Sequence, residues 1–196
     1  MRSRRAWASS SDASRTGPAR IVLALVGVLV LLAPPAAARV FHSRQEALAL
    51  AFPDADRIEK ETFILDEAQV AAIEAASHAK VDSKLVTIFT AWRGDERLGH
   101  AHIDVHTVRS QPEAFLVVLT PEGAVRSVRV LAFHEPLDYL PTERWYEQFV
   151  GRTRADRLRV GGDVHGVVGA TLSARAAADG VRRALAYHAV LIQPRP

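Results

Sequence analysis

Apolar and polar positions beyond residue 38 change period several times along the chain, and each change marks an element. Ser43-Arg44-Gln45-Glu46 has the spacing of a capping box, which opens a short helix through Ala51 that Pro53 ends. Glu61 to Leu65 reads as a strand. Asp66 with Gln69 caps a second helix, whose Val70, Ile73 and Ala76 recur at helical spacing. Lys84 to Trp92 is dense in β-branched and aromatic residues, Gly94-Asp95 supplies a turn, and Arg97 to Val108 alternates as a returning strand. Ala114 to Leu119 and Ala124 to Ala132 flank Pro121-Glu122-Gly123 as a second hairpin. These four strands are expected to make the sheet. A short helix near Thr142 to Val150 follows, then an Arg-rich loop, then a final helix from about Leu172 to His188. In that helix Val181, Ala184 and Leu185 form one stripe while Arg175, Asp179, Arg182 and Arg183 lie off it, so it should rest on the sheet. The succession predicts an α+β fold, an antiparallel sheet of four or more strands packed with helices.

The first 38 residues break this pattern and read as a signal peptide. Arg2, Arg4, Arg5, Arg15 and Arg20 precede the 12-residue apolar run Ile21 to Leu32, which Pro34 and Pro35 close. A spanning helix needs roughly 20 apolar residues. Small residues at Ala36 and Ala38 place cleavage before Arg39, with an uncleaved anchor as the alternative. Ser3-Arg4-Arg5 only weakly matches a twin-arginine signal, being too far from the apolar run. Removing the leader also changes the charge. Of 25 basic and 22 acidic residues, five Arg and one Asp belong to it, leaving a near-neutral chain of 20 basic and 21 acidic residues. No clustered basic face interleaved with aromatics survives, which argues against a nucleic-acid partner, and Arg152 to Arg159 is a solvated loop or a modest anion-attracting patch. Residues 39–196 are enough for one domain. With no cysteine there is no disulfide, thiolate cluster or c-type haem, so a redox role needs an organic cofactor or a metal on His and carboxylates.

Gly169-Ala170-Thr171 stands where a turn becomes the last helix, with Thr171 and Ser173 as candidate caps. Free amides and the helix dipole favour an anion there, small neighbours let a phosphate approach the backbone, and a hydroxyl so placed can itself be phosphorylated. Local physics alone favours Thr171 as a plain N-cap after a glycine turn, since such caps are common.

The segment GATLS, residues 169–173, resembles the attachment motif of the FMN-binding domain family, which includes the covalently flavinylated subunits of bacterial membrane redox pumps and related periplasmic carriers. The family motif is Asp, two variable residues, Ser or Thr, then Gly-Ala-Thr, an apolar residue and Ser or Thr. Here His165 stands at the Asp position and Val168 at the Ser or Thr position, with Asp163 two residues early. The final helix, the Pro121-Glu122-Gly123 hairpin and Val128 to Pro136 are also similar to the family, so the likeness spans roughly residues 83 to 188. His134-Glu135-Pro136 corresponds to a family His-Glu-Thr-Pro-like loop near the flavin, without its Thr. The resemblance implies an FMN-binding domain over residues 39–196, with FMN esterified to Thr171 and the last helix starting at the flavin phosphate. Gly169, Ala170, Leu172, Ser173, His165, His134 and Glu135 are its expected surroundings. It further implies a Mg-dependent flavin transferase that uses FAD as FMN donor, and a membrane or periplasmic redox protein as electron partner. The chain would then be a carrier without turnover of its own, in the periplasm or on the outer face of the cytoplasmic membrane.

The competing constellation is His100, His102, Asp104 and His106, which the two-residue period of a strand puts on one face. They raise the alternative of a periplasmic metal-binding protein, but successive same-face residues lie about 7 Å apart and rarely converge on one ion, so a polar, partly exposed face is the expectation. Trp92, Trp145 and Tyr146 are expected in the core.

Overall fold

A computed structural model describes residues 39–193; the predicted leader, residues 1–38, lies outside the described residues, as do the last three. Six strands, β1 (Arg39–Val40), β2 (Arg57–Ile64), β3 (Leu85–Arg93), β4 (Glu96–Val108), β5 (Gln111–Leu119) and β6 (Val125–Phe133), form one sheet in the order β1-β6-β5-β4-β3-β2. Every neighbouring pair is antiparallel. The helices are α1 (Arg44–Ala51), α2 (Glu67–Ser77), α3 (Glu143–Tyr146) and α4 (Thr171–Tyr187), the last running on into a π-helical turn, His188–Ile192. The expected α+β architecture is therefore present. Among the described residues no helix is long and apolar enough to cross a membrane.

Both predicted capping boxes form. Ser43 accepts from the Glu46 amide and Asp66 from the Gln69 amide, with each third residue returning the bond. The sheet is larger than the four strands expected, because β2 starts at Arg57 and pairs along its whole length with β3, and β1 adds a two-residue edge beside β6. The strand expected from Ala114 begins at Gln111, since Arg109 (φ 30) and Ser110 make a tight turn that pairs Val108 with Gln111. Pro112 is tolerated there because the β6 ladder begins only at Glu113, so no bond to β6 needs its missing N–H.

β5 explains why the sheet is covered on both faces. Its run Phe115-Leu116-Val117-Val118-Leu119 is buried throughout, and alternation sends neighbours to opposite sides. Phe115, Val117 and Leu119 pack with Ala174, Ala177, Val181 and Leu185 of α4 and with Trp145 and Phe149. Leu116 and Val118 pack with Phe89, Ala101 and Leu131 under Ala47, Leu48 and Phe52 of the α1 region. Small residues let α4 lie close. A Cβ on Gly180 would stand 2.5 Å from Phe115 Cζ and 2.7 Å from Asp104 Oδ2, so only glycine fits. That closeness offsets the roughly 1 kcal/mol a mid-helix glycine costs.

Trp145 and Tyr146 are core residues, as expected. Trp92 is not. It is half-buried at the sheet surface, its Nε1 donating to Glu59 while Arg57 and Arg97 lie over its ring at 5.4 and 5.2 Å.

Candidate functional site at the start of the last helix

α4 opens from a turn in which the Ala170 amide donates to the Val167 carbonyl and Gly169 takes φ 82, a conformation that favours glycine. Neither Thr171 nor Ser173 caps the helix, contrary to expectation. The N-cap is Ala170 and no side chain bonds the first-turn amides, because Thr171 is already the first helical residue. Its hydroxyl is exposed and reaches only the Val167 carbonyl, at 3.5 Å, a distance at which little bonding is left. No acidic residue occupies the first turn. The result is a free hydroxyl beside uncapped amides at the positive end of a 17-residue helix, where a phosphate-type anion is favoured.

Neighbouring residues divide sharply by exposure. Val168 is 102% exposed and Leu172 50%, apolar surface that no part of the core claims, whereas Ala170 and Ser173 are buried at 2% and 1%. Ser173 thus packs against the domain and does not present its hydroxyl at the surface. His165 is exposed. Its backbone is fixed from both sides, the amide donating to Gln148 Oε1 at 2.7 Å and the carbonyl accepting from Trp145 Nε1 at 2.7 Å. Asp163 serves the loop, accepting from the Leu158 and Arg159 amides at 2.8 and 2.6 Å. Its modest burial works against ionisation, but those two amides hold its carboxyl below the usual range.

His134 and Glu135 belong to a different element. His134 Nδ1 meets the Pro112 carbonyl at 3.0 Å, and Glu135 accepts from the Ser110 and Gln111 amides at 3.0 and 3.1 Å, stapling the β4–β5 turn. The Ser110 amide does most to hold the Glu135 carboxyl below its ordinary range. Along the sheet, His188 packs on His100, Tyr187 on His102 and Arg183 on Asp104, so α4 runs antiparallel to β4 with its N-terminus directed toward the end that Glu135 staples. Beside the segment that continues from His134 and Glu135 lies a cleft of about 470 Å³. Phe41, Val128, Val130, Leu137, Leu140 and Tyr146 line it, with Arg39 and Arg129 at its rim.

The His/Asp strand is more closely covered than the partly exposed face expected, with His100 and Asp104 buried and His102 and His106 half-buried. α4 and the π-helical turn cover it, and the side chains hydrogen-bond to β3, to Arg183 and, for Asp104 and His106, to each other. His100 is 2% exposed and meets Thr90 Oγ1 at 3.1 Å; burial, with His188 alongside, lowers its pKa to about 4 and keeps it neutral. His102 Nδ1 meets the Thr87 carbonyl at 2.9 Å. Asp104 accepts from Arg183 at 2.8 Å on each oxygen and from His106 Nδ1 at 2.6 Å, while His106 Nε2 lies 3.5 Å from Glu113 Oε2. Burial opposes charge on His106, but the hydrogen bond to Asp104 and the neighbouring Glu113 carboxylate prevail and raise its pKa to about 9. Likewise burial pushes the Asp104 carboxyl up, and His106 and Arg183 bring it below its ordinary value. Among the described residues no three His, Asp or Glu side chains converge to hold a metal ion.

Two members of this network escaped the sequence reading. Arg183 was placed on the polar side of the helix but is 7% exposed, and Glu113 is 1% exposed. The available signal was Gly180, three residues before Arg183, which opens the space through which the guanidinium reaches Asp104. No protein-family model matches the chain, and a search of curated proteins finds no match.

Proposed function

We propose that the chain is an exported electron carrier that holds FMN through a phosphoester to the Thr171 hydroxyl. The observation that carries this reading is the exposed, uncapped first turn of α4: the Thr171 hydroxyl has no strong partner, no acidic residue stands in that turn, and Gly169 and Ala170 bring no bulk to it. Phosphoryl transfer needs a hydroxyl that an external enzyme can reach and an environment that tolerates the resulting anion. In the resembled family a Mg-dependent transferase splits FAD, so that the Thr oxygen gains the FMN phosphorus and AMP departs. This chain contributes the nucleophile and its setting.

Bound FMN would supply reversible electron uptake, and the protein's part is to hold and shield it. Val168 and Leu172 offer apolar surface immediately beside the ester, and the cleft next to residues 137–143 offers a larger low-dielectric wall. His165 in place of the family's Asp leaves the approach to Thr171 without a carboxylate. The electron partner proposed is a redox protein of the membrane or the periplasm. Coexpression with a flavin transferase tests the site by intact mass. Wild type should gain the mass of an FMN ester and Thr171→Ala should not; an equal gain in both, or none in wild type, contradicts the assignment.

A further inference from the structure

Along α4, from Arg175 one turn beyond Thr171 to Arg182 and Leu185, three hollows share Arg182 as a common wall. One of about 470 Å³ lies between His78, Arg157, Arg159 and Arg182, and one of about 330 Å³ places Arg159 opposite Arg175 and Arg182. The concentration of guanidinium groups is a product of local construction. Leu158 is fully buried with φ 49, a left-handed backbone unusual for leucine, and Asp163 holds the Leu158 and Arg159 amides in that shape. With Leu158 turned inward, its neighbours Arg157 and Arg159 are both exposed. Strain of this kind persists where the surroundings enforce it, and it collects at binding sites.

Arg182 supplies the floor. It donates to the Ser77 carbonyl at 2.6 Å, to the Leu158 carbonyl at 2.9 Å and to Asp179 Oδ1 at 2.5 Å, so the end of α2, the loop and α4 are held around one charge. The two carboxylates bordering the hollows are already engaged, Asp179 with Arg182 and Asp156 with Arg152. Among the described residues Arg157, Arg159 and Arg175 have no carboxylate partner. Arg157 and Arg159 line one hollow and Arg159 and Arg175 the adjoining one, so these unpaired guanidinium groups concentrate positive charge along the groove, whereas residues 39–196 as a whole are close to neutral.

We propose that this arginine-walled groove binds the diphosphate group of a phosphorylated small molecule. Arg157 and Arg159 hold it from the loop and Arg175 from the helix. Guanidinium forks match phosphate oxygens two at a time, and walls on two sides suit two linked phosphate groups better than one. A concave site suits a soluble ligand better than the flat surface of a bilayer.

The test is calorimetric titration of inorganic diphosphate into the exported Thr171→Ala protein, in which no ester at residue 171 can fill or mimic the groove. Saturable one-to-one binding is expected, weakening as salt rises. The Arg157→Ala/Arg159→Ala pair and, separately, Arg175→Ala should each weaken it about tenfold or more, since each removes at least one charge-assisted contact. Arg44→Ala, on the helix covering the opposite sheet face, should change it less than about twofold. All four altered side chains are exposed, and unchanged thermal melts will show that folding is intact. Absence of saturable binding, equal weakening by Arg44→Ala, or attachment to anionic phospholipid vesicles without diphosphate binding overturns the proposal. The FMN reading is judged by mass at Thr171, so either can fail alone.

Discussion

Toward its C-terminal end α4 buries Arg183 on Asp104, which in turn holds His106 beside Glu113, whereas at its first turn the Thr171 hydroxyl is almost unbound and no side chain caps the amides. The first region is rich in side chains able to bind metals or move protons, and the fold ties one ring nitrogen of each of His100, His102 and His106 and both oxygens of Asp104. Burial closes off His100 Nε2, His106 Nε2 and Glu113 Oε2 without a hydrogen-bond partner. The second is chemically plain, and its one functional group is available. Availability, not the intrinsic reactivity of the residue types, separates the two. Histidines and carboxylates alternating on a strand announce themselves in a sequence, yet here they are buried or half-buried and hydrogen-bonded to neighbours within the fold.

The comparison is broken most directly at the buried pair. Asp104→Ala leaves the Arg183 guanidinium buried without its partner and should lower stability by about 3–5 kcal/mol, read by chemical denaturation. Replacing both, as Asp104→Leu with Arg183→Met, should recover a large part of that loss, because no guanidinium is left buried without a carboxylate and His106 keeps Glu113 at 3.5 Å as its counter-charge. A double variant as unstable as the single one would show that the pair is not the lock. Next in size, Gly180→Ala forces a methyl against Phe115 and Asp104 and should cost about 1–3 kcal/mol despite alanine's better helix propensity.

A pH series sharpens the same contrast. His106 has its folded pKa raised from 6.5 to about 9, so its stabilisation is complete below about 6.5 and lost as pH climbs through 9. Asp104 has its folded pKa lowered from 3.8, so its stabilisation holds above that value and is lost as pH falls below it. Wild-type melting temperature should therefore decline between pH 7 and 10, and His106→Gln should flatten that decline. An unchanged slope in the variant would remove His106 from the account. The smallest effect belongs to the other end of the helix. Thr171→Ala should shift stability by no more than about 0.5 kcal/mol, since the hydroxyl neither caps nor packs.

Much of the frame is legible in the sequence because it rests on short-range rules. Both capping boxes, the Gly94-Asp95 hairpin, the turn at Pro121-Glu122-Gly123 and the stripe on α4 depend on residues only a few positions apart. What escapes depends on distant partners. β1 is two residues long and exists only because β6 offers it an edge, and the inward turn of Arg183 is decided by Asp104 and Gly180. The covering of the His100–His106 face is likewise a property of how α4 docks. At the candidate site the glycine turn and the start of α4 are readable from Gly169 and Thr171. That Ala170 rather than Thr171 stands at the N-cap is a one-residue shift of helix start, which leaves the hydroxyl free.

The central claim is that Thr171 carries a covalently held redox ring, and the most direct measurement is the absorbance of acid-precipitated protein from a host with an active flavin transferase. The yellow near-ultraviolet and blue bands are expected to stay with the washed, denatured chain and to be missing from Thr171→Ala. Colour released entirely into the acid supernatant, or a colourless wild-type protein, would contradict that claim.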